Sequence, residues 1–169
     1  MGGKTNSGYL PHENSIERMI RRRRKAKETE AALCATTSIR VRFSEVDSMQ
    51  VVWHGEYVRY FEDGREAFGR TYPGIGYMDF YRNGYTAPIV DMQLQYLAPL
   101  TVDDTATVET RYMAVAGAKL CFEYTVRRDR DGVVVARGSS MQVFVDVAGE
   151  MALNCPPFYE EWKAKWLKQ

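Results

Sequence analysis

The sequence has few of the residues that would build a metal site, a disulfide framework or a catalytic triad. Its three cysteines, Cys34, Cys121 and Cys155, are scattered and include no Cys-x-x-Cys pair. Neither a disulfide framework nor a zinc site is therefore indicated. The two histidines are His12 and His54, and there is no Gly-x-Ser-x-Gly motif. A Ser-His-Asp site would have only His54 to build on, which makes that chemistry a poor choice.

Long apolar runs and a large excess of one charge are also missing. No apolar run approaches the roughly 20 residues that span a bilayer, and the N-terminus lacks the apolar stretch of a signal peptide. The formal net charge of +1 argues against a general nucleic-acid binder, which would carry a broad basic surface. We expect no membrane span, no nucleic-acid partner and, with the scattered thiols, a cytoplasmic location.

The chain changes character near residue 36. With 169 residues and 45% hydrophobic residues it can form one domain with a sizeable core. Residues 1–35 have few apolar anchors and include the basic run Arg21–Lys25. A basic run can bind nucleic acid or an anionic membrane, but acidic residues flank this one, which favours a solvated segment. We predict a flexible or helical extension over residues 1–35 and a folded domain over 36–169.

The pattern of apolar residues predicts one long helix and five strands. Residues 37–43 are rich in β-formers, and Gly55 to about Tyr72 has apolar residues at helical spacing. A break at Pro73–Gly76 and a loop through Asn83-Gly84 follow. Four strand patterns come next, at Val90–Tyr96, Ala106–Tyr112, Leu120–Val126 and Val133–Val147, with turns at Ala116-Gly117 and Asp131-Gly132.

The final stretch predicts a short helix that begins at Pro156-Pro157 and runs to Leu167. One long helix against an antiparallel sheet with a single wet face defines a two-layer α+β domain. Gly64 lies in the middle of the long helix, where a missing side chain lets the helix backbone approach the sheet closely. We therefore expect the sheet to wrap the helix.

The segment from Asp47 to His54 carries the most chemical information. It places a carboxylate after a strand and a histidine at the start of the long helix. Free backbone N–H groups at a helix N-terminus can hold a developing oxyanion. A carboxylate beside them can attack a carbonyl carbon or activate a water molecule. This segment could therefore contain both parts of an acyl-transfer site.

The same region carries a family resemblance. The runs Ile39–Asp47, Val51–His54, Tyr57–Glu62 and Tyr96–Leu100 resemble the hotdog-fold acyl-CoA thioesterases of the 4-hydroxybenzoyl-CoA thioesterase and YbgC type. The similarity extends from about Ser38 to Val147 and leaves the N-terminal extension outside.

The resemblance implies a hotdog fold, a homodimer or homotetramer, and active sites at the subunit interface. It places the catalytic carboxylate at Asp47 and the oxyanion contact at the backbone N–H of His54. The positions around them, which would contact substrate, are Val52, Trp53, Gly55, Tyr57 and Glu62. The family commonly has glycine where this chain has Gln50, which puts the path of the loop and the substrate preference in doubt.

Each candidate residue also has a purely structural interpretation. Asp47 could only cap a turn, as aspartates after strands often do. The side chain of His54 could orient substrate or loop, while its backbone N–H makes the main contribution. Glu62, Asp63 and Glu66 lie on the long helix, where some related thioesterases place a catalytic glutamate. Glu62 could be an alternative base, yet a charge on an exposed or interface face of the helix is the simpler interpretation.

Two further groups of residues have weaker functional interpretations. Aromatic side chains at helical spacing are usually core, although they could line an acyl pocket; here these are Tyr57, Tyr60 and Phe61. Basic side chains could meet the phosphates of coenzyme A, but surface solvation is the default for each; here these are Lys119, Arg128 and Arg137.

The sequence therefore predicts an acyl-CoA thioesterase that needs no metal and no redox cofactor. A thioester suits a single carboxylate because its thiolate leaves with little protonation help. Two alternatives remain open at this stage. One is a hotdog domain that binds acyl-CoA without turnover, and the other is a hotdog dehydratase or hydratase, which would need an acid/base pair beside the thioester carbonyl.

Overall fold

Seven strands and three helices lie within residues 33–167, the part of the chain that the computed structural model describes. The predicted extension and its Arg21–Lys25 run lie almost wholly outside that range. The elements in chain order are β1 (Cys34–Arg40), α1 (Glu56–Thr71), α2 (Tyr77–Arg82), β2 (Tyr85–Thr86), β3 (Ile89–Tyr96), β4 (Thr105–Met113), β5 (Lys119–Arg128), β6 (Val134–Val143), β7 (Val145–Asp146) and α3 (Pro157–Trp166).

The main sheet has five strands in the order β1-β4-β5-β6-β3, and all neighbouring pairs are antiparallel. Two short strands, β2 and β7, pair separately. The long helix, the five-stranded antiparallel sheet and the terminal helix are confirmed as predicted. The turns at Gly117 and Gly132 are confirmed as well, with φ angles of 86° and 71° that glycine adopts without strain.

Helix α1 lies against one face of the sheet and buries an aromatic stripe. Tyr57, Tyr60, Phe61 and Phe68 are all 3% exposed or less, so the core interpretation of the helix aromatics is confirmed. The ring of Phe61 stacks on Tyr124 of β5 with centroids 4.3 Å apart. Because such offset pairs add to the free energy of burial, they help fix how the helix lies on the sheet.

Gly64 allows the close approach of α1 to β4. A Cβ atom at this position would clash with the hydroxyl oxygen of Thr110 and lie 3.1 Å from a methyl group of Val108. The sheet therefore contacts the helix backbone itself at this point, as the sequence predicted.

The first strand is displaced from its prediction. It spans Cys34–Arg40 rather than residues 37–43, and Phe43 lies 82% exposed in a 3-10 turn. The strand begins earlier because Ala35 and Ile39 face the helix and are buried. The folded domain therefore includes Cys34 and Ala35, which the prediction placed in the extension.

Two other segments differ from the sequence prediction. The expected loop before Gly84 contains the short helix α2, whose start is fixed by Asp79 Oδ2 accepting hydrogen bonds from the N–H groups of Gly74 and Gly76. The long run Val133–Val147 is two strands rather than one. Its end, β7, leaves the main sheet to pair with β2.

Helix α3 closes the open end of the core beside α1. Trp162 donates its indole N–H to the carbonyl oxygen of Tyr72 at 3.0 Å, and the hydroxyls of Tyr159 and Tyr112 lie 2.6 Å apart. Among the helices of residues 33–167, none combines the length and apolar character needed to cross a membrane.

Candidate active site

The segment between β1 and α1 forms a tight loop that is held by its own backbone. Val46 and Val52 form an antiparallel bridge, and the N–H of Asp47 donates to the carbonyl oxygen of Val51 at 2.9 Å. A second bridge joins Val51 to Thr101, which ties the loop to the segment after β3. These contacts fix the backbone of the loop that carries Asp47.

Asp47 lies at the tip of this loop and has a structural role there. Its Oδ1 accepts a hydrogen bond from the N–H of Met49 at 2.8 Å, and its carbonyl oxygen accepts one from the N–H of Gln50 at 2.9 Å. Asp47 thus caps this turn. The second carboxylate oxygen, Oδ2, accepts no hydrogen bond from any residue in 33–167. One oxygen fixes the side chain, and the other is available to a substrate or a water molecule.

Gln50 occupies a backbone conformation that favours glycine. Its φ angle is 62°, in the left-handed region that costs a non-glycine residue about 1–2 kcal/mol. A glycine could take this backbone without change, so the Gln50 departure from the family pattern does not require a different path of the loop.

The N-terminus of α1 begins directly after this loop. The backbone N–H groups of His54 and Gly55 donate to no acceptor within the described part of the chain, whereas those of Trp53 and Glu56 donate to the carbonyl oxygens of Glu45 and Trp53. Unpaired N–H groups at a helix start are the usual binding site for an anion or a developing oxyanion. The imidazole of His54 is exposed.

The indole of Trp53 covers the helix start. A Cβ atom at Gly55 would fall inside the Trp53 ring system, so only glycine leaves room for this contact. Trp53 is 48% exposed, and its ring centroid lies 4.8 Å from that of His54. An aromatic surface of this kind can contact the acyl group or the pantetheine arm of a substrate.

Tyr96, at the end of β3, contacts the other side of the helix start. Its hydroxyl donates to the carbonyl oxygen of His54 at 2.9 Å, and its ring packs edge-on against Tyr57 at 5.3 Å. Burial raises the pKa of the Tyr96 phenol above its ordinary value, which keeps this donor protonated. The peptide between His54 and Gly55 is therefore held in one orientation.

A second hydrogen-bond network supports the loop from below. Glu45 Oε2 accepts hydrogen bonds from the Tyr60 hydroxyl at 2.8 Å and from the N–H of Arg42 at 2.9 Å. Burial, followed by the bond to Glu45, raises the pKa of Tyr60 far above its ordinary value. Because Tyr60 lies on α1 and Glu45 immediately precedes the loop, this pair couples the loop to the helix.

The remaining predicted substrate residues divide into buried and exposed positions. Val52 and Tyr57 are 5% and 3% exposed, so within one protomer they pack in the core beneath the site. The side chain of Glu62 is 54% exposed and lies 3.4 Å from Arg65. Glu62 is thus accessible on α1, one turn and a half from the helix start.

The structure does not bring Lys119, Arg128 and Arg137 together. Lys119 and Arg128 are the two ends of β5, nine residues apart and hence separated by about 30 Å. Arg137 lies on the face of the sheet opposite α1. All three nitrogens of Arg128 donate within the protomer, two to Asp131 and one to the carbonyl oxygen of Pro99. Phosphate binding by these residues stays a prediction. Because Arg128 is already paired with Asp131 and Pro99, it is the least suitable of the three to bind a phosphate.

Sequence reasoning missed two positioning residues. Tyr96 belongs to a run that carried the family resemblance, but nothing in the sequence pairs its hydroxyl with His54, 42 residues away. Glu45 directly follows Ser44 in a segment expected to come after the strand, and its partner Tyr60 was considered only as a core or pocket aromatic. Both contacts depend on tertiary structure that periodicity does not encode.

The structure thus places a carboxylate and a helix N-terminus on one loop of a hotdog fold. The fold is shared with solved structures: the DHNA-CoA thioesterase of Staphylococcus aureus superposes with a TM-score of 0.70 over 78% of this chain and 89% of that chain, at 21% identity.

Residues 41–165 match the model of the Thioesterase-like superfamily, and the chain belongs to that family. YneP of Bacillus subtilis, whose name carries a provisional assignment as an acyl-CoA thioesterase, is 28% identical over 77% of this chain and 93% of its own length. The acyl-CoA thioesterase YbgC of Haemophilus influenzae is 26% identical over 54% of this chain and 67% of its own length. The chain is an enzyme of the thioester hydrolase class.

Proposed function

We propose that this protein hydrolyses an acyl-CoA thioester to a carboxylic acid and free coenzyme A, with Asp47 as the catalytic carboxylate. The observation that carries the proposal is the loop itself. Within residues 33–167, one oxygen of Asp47 is anchored and the other has no donor, and the N–H groups of His54 and Gly55, at the end of the same loop, have no acceptor. Acyl transfer needs a nucleophile or base and an oxyanion site, and this loop supplies both.

The proposed reaction begins with the thioester carbonyl oxygen against the N–H of His54. Asp47 either attacks the carbonyl carbon or takes a proton from a water molecule that attacks it. The carbonyl oxygen gains negative charge, which the N–H donors and the helix dipole stabilise. The C–S bond then breaks, and coenzyme A leaves as a thiolate that is protonated to the thiol. If Asp47 attacks directly, water hydrolyses the resulting anhydride and restores the carboxylate.

The likeness to YneP and YbgC supports coenzyme A as the carrier of the acyl group. The exposed indole of Trp53 and the neighbouring imidazole of His54 supply an aromatic surface beside the site. No metal and no redox cofactor take part in this proposal, because each proton transfer has an acceptor in Asp47 or water. Reaction in the cytoplasm, where acyl-CoA is available, belongs to the same proposal.

A homodimer completes the proposed site. Strand β3 is an edge of the main sheet in residues 33–167, and several of its apolar side chains are exposed, with Val90 at 56% and Ile89 at 37%. The other edge, β1, exposes Thr36, Ser38 and Arg40 instead. Pairing two β3 edges would satisfy the free backbone groups and cover the apolar side chains. We propose that the dimer forms through β3, and that two dimers can pair into a tetramer.

A panel of acyl-CoA thioesters, followed by the release of free thiol, tests the activity. The panel should include short and long aliphatic acyl groups and aromatic acyl groups, with the Asp47→Asn variant as the matched control. Turnover by the wild type and loss of turnover in the variant would support the proposal. Tight binding of acyl-CoA without thiol release from any substrate would contradict it and favour a binding domain.

A further inference from the structure

Arg65, on the buried side of α1, carries a charge that the protein does not fully compensate. Its side chain is 5% exposed. The closest carboxylate oxygen is Glu62 Oε1, at the long distance of 3.4 Å from Nη2, and Glu62 itself is half exposed. The Nε and Nη1 atoms of Arg65 are buried and donate to no partner within residues 33–167. A buried guanidinium with two unpaired nitrogens is costly unless an acceptor binds there.

The tyrosine neighbours of Arg65 supply neutral acceptors but no negative charge. The guanidinium carbon lies 5.6 Å from the centroid of Tyr77, a cation–π contact, and the neutral hydroxyl of Tyr77 also interacts with Arg65. The hydroxyl of Tyr124 lies 2.6 Å from Ser140 Oγ and also interacts with Arg65, but because the phenol is neutral it does not balance the positive charge. An oxyanion in the cavity beside Arg65 would supply the missing negative charge.

A cavity of about 390 Å³ adjoins Arg65, between α1, α2 and the sheet. Its inner wall is apolar and is formed by Ile75, Phe80, Leu120 and Phe122. A volume of this size, with an apolar wall and one convergent charged group, is typical of small-molecule sites.

The other charged residues around the cavity have partners. Arg70 lies 3.4 Å from Glu66, and Arg82 lies 3.3 Å from Asp79. Both arginines are about two-thirds exposed, so solvent also compensates their charge. Among the arginines of the cavity, Arg65 alone is buried and has unpaired donors in the described part of the chain.

We propose that this cavity binds a small organic carboxylate with an apolar body, and that the carboxylate pairs with Arg65. The apolar body would lie against the wall of Leu120 and Phe122. The carboxylate could be the end of an acyl group that carries a second acid, or it could belong to a free carboxylic acid that is unrelated to the reaction. Only the first of these sources depends on the proposed thioesterase function.

The position of the cavity limits which acyl groups could place a second carboxylate beside Arg65. Arg65 is ten residues beyond Gly55, which corresponds to about 15 Å along the axis of α1. A substrate bound within one protomer would therefore need a long acyl group to reach both sites. A free acid has no such requirement.

Thermal unfolding of the full-length protein with and without sodium hexanoate tests the site directly. Hexan-1-ol is the matched neutral probe, and sodium chloride at the same concentration controls for ionic strength. At about 100 times its dissociation constant, hexanoate should raise the Tm by roughly 5–10 °C, and hexan-1-ol should have a much smaller effect.

Variants at Arg65 separate a binding role from a packing role. Arg65→Met keeps the length of the side chain and removes the charge, so the response to hexanoate should disappear while the unliganded Tm stays equal or rises. Arg65→Lys should keep part of the response. Arg70→Met, on the same helix and at the same cavity, should keep all of it.

Competing substrates separate the two sources of the carboxylate. The kcat/KM ratio of dodecanedioyl-CoA to dodecanoyl-CoA, whose acyl groups are long enough to span about 15 Å, should fall at least about 10-fold in Arg65→Met if the acyl group reaches the cavity. An unchanged ratio together with a Tm response to hexanoate would identify a free acid as the ligand. Absence of all hydrolysis with an intact Tm response would refute the thioesterase proposal alone. The carboxylate site is refuted if hexanoate does not raise the Tm of the wild type and if Arg65→Met leaves the ratio of the two kcat/KM values unchanged. The cavity would then hold only water.

Discussion

The hydroxyl of Tyr96 donates a hydrogen bond to the backbone carbonyl oxygen of His54 at 2.9 Å, and this contact joins the end of β3 to the start of α1. The carbonyl of His54 and the N–H of Gly55 belong to one peptide plane, which the bond holds in place. Because β3 is also the proposed dimer edge, this single contact connects the assembly surface with the oxyanion site.

Removing the Tyr96 hydroxyl should therefore slow hydrolysis with little effect on folding. Tyr96→Phe keeps the ring contact with Tyr57 and loses a hydrogen bond worth about 1 kcal/mol, so kcat should fall about 5-fold. The raised pKa of Tyr96 keeps the phenol protonated through the neutral range, so the loss should be constant between about pH 6 and pH 9. Tyr81→Phe, at a residue 72% exposed, is the control. An equal loss in both variants would exclude a specific role for Tyr96.

Two substitutions at Asp47 separate its proposed catalytic role from its turn-capping role. Asp47→Asn keeps an oxygen that can accept from the N–H of Met49, but it lacks the charge and most of the nucleophilicity of the carboxylate. Hydrolysis should fall by at least about 100-fold, and the free energy of unfolding should change little. Asp47→Ala should lose activity to the same extent and also lose about 1 kcal/mol of stability.

Asp146→Asn is the matched control for the Asp47 variants, because Asp146 Oδ1 also caps a loop by accepting from the N–H groups of Ala148 and Glu150. It should keep full activity. Near-normal turnover in Asp47→Asn would instead remove Asp47 as the catalytic group and make the accessible Glu62 the next candidate.

The strained backbone of Gln50 should lower the free energy of unfolding by an amount that a glycine variant reveals. Gln50→Gly relieves a left-handed backbone worth about 1–2 kcal/mol and loses about 0.5–1 kcal/mol of backbone entropy, so the variant should be more stable by about 0.5 kcal/mol. Urea unfolding of the variant and of Asp103→Gly, whose φ angle is 65°, tests the same effect at two loops. A lower midpoint in Gln50→Gly would show that its side chain contributes contacts that outweigh the strain.

Elements with strong local signals were predictable from the sequence. Helix α1 has apolar residues at helical spacing and ends before Pro73-Gly74, and β4 and β5 alternate with period two, so their bounds follow from packing on one face. The family resemblance marks Asp47 and His54 as candidates, and their roles stay predictions. Their placement on one loop at the start of α1 follows from chain order.

Features fixed by distant contacts were not predictable in the same way. Helix α2 has only six residues, too few for a periodic pattern, and depends on the cap from Asp79. The early start of β1 reflects pairing with β4 from Cys34 onward rather than the β-propensity of residues 41–43. The burial of Arg65 has no sequence signal, since arginines on helices are usually exposed.

The close contact at Gly64 predicts a clear energetic penalty. Gly64→Ala gains about 1 kcal/mol of helix propensity, but the new methyl group would clash with Thr110, so the net effect should be destabilisation by about 1–3 kcal/mol. Thr110→Ala removes the opposing hydroxyl, which is buried and unpaired in the described residues. The double variant should therefore recover much of the lost stability in urea unfolding. Additive losses in the double-mutant cycle would refute a direct clash.

The proposed dimer can be tested by a single charged substitution on the β3 edge. Val90→Lys places an ammonium group on a strand edge that carries exposed apolar side chains, and charges of this kind are a common means of preventing edge pairing. Light scattering should show a dimer or tetramer for the wild type and a shift toward monomer for the variant, with activity falling in parallel because Tyr96 lies on the same strand. Val147→Lys, at a residue 91% exposed outside the main sheet, should leave both properties unchanged. A fully active wild-type monomer at micromolar concentration would contradict the interface and the completion of the site by a second subunit.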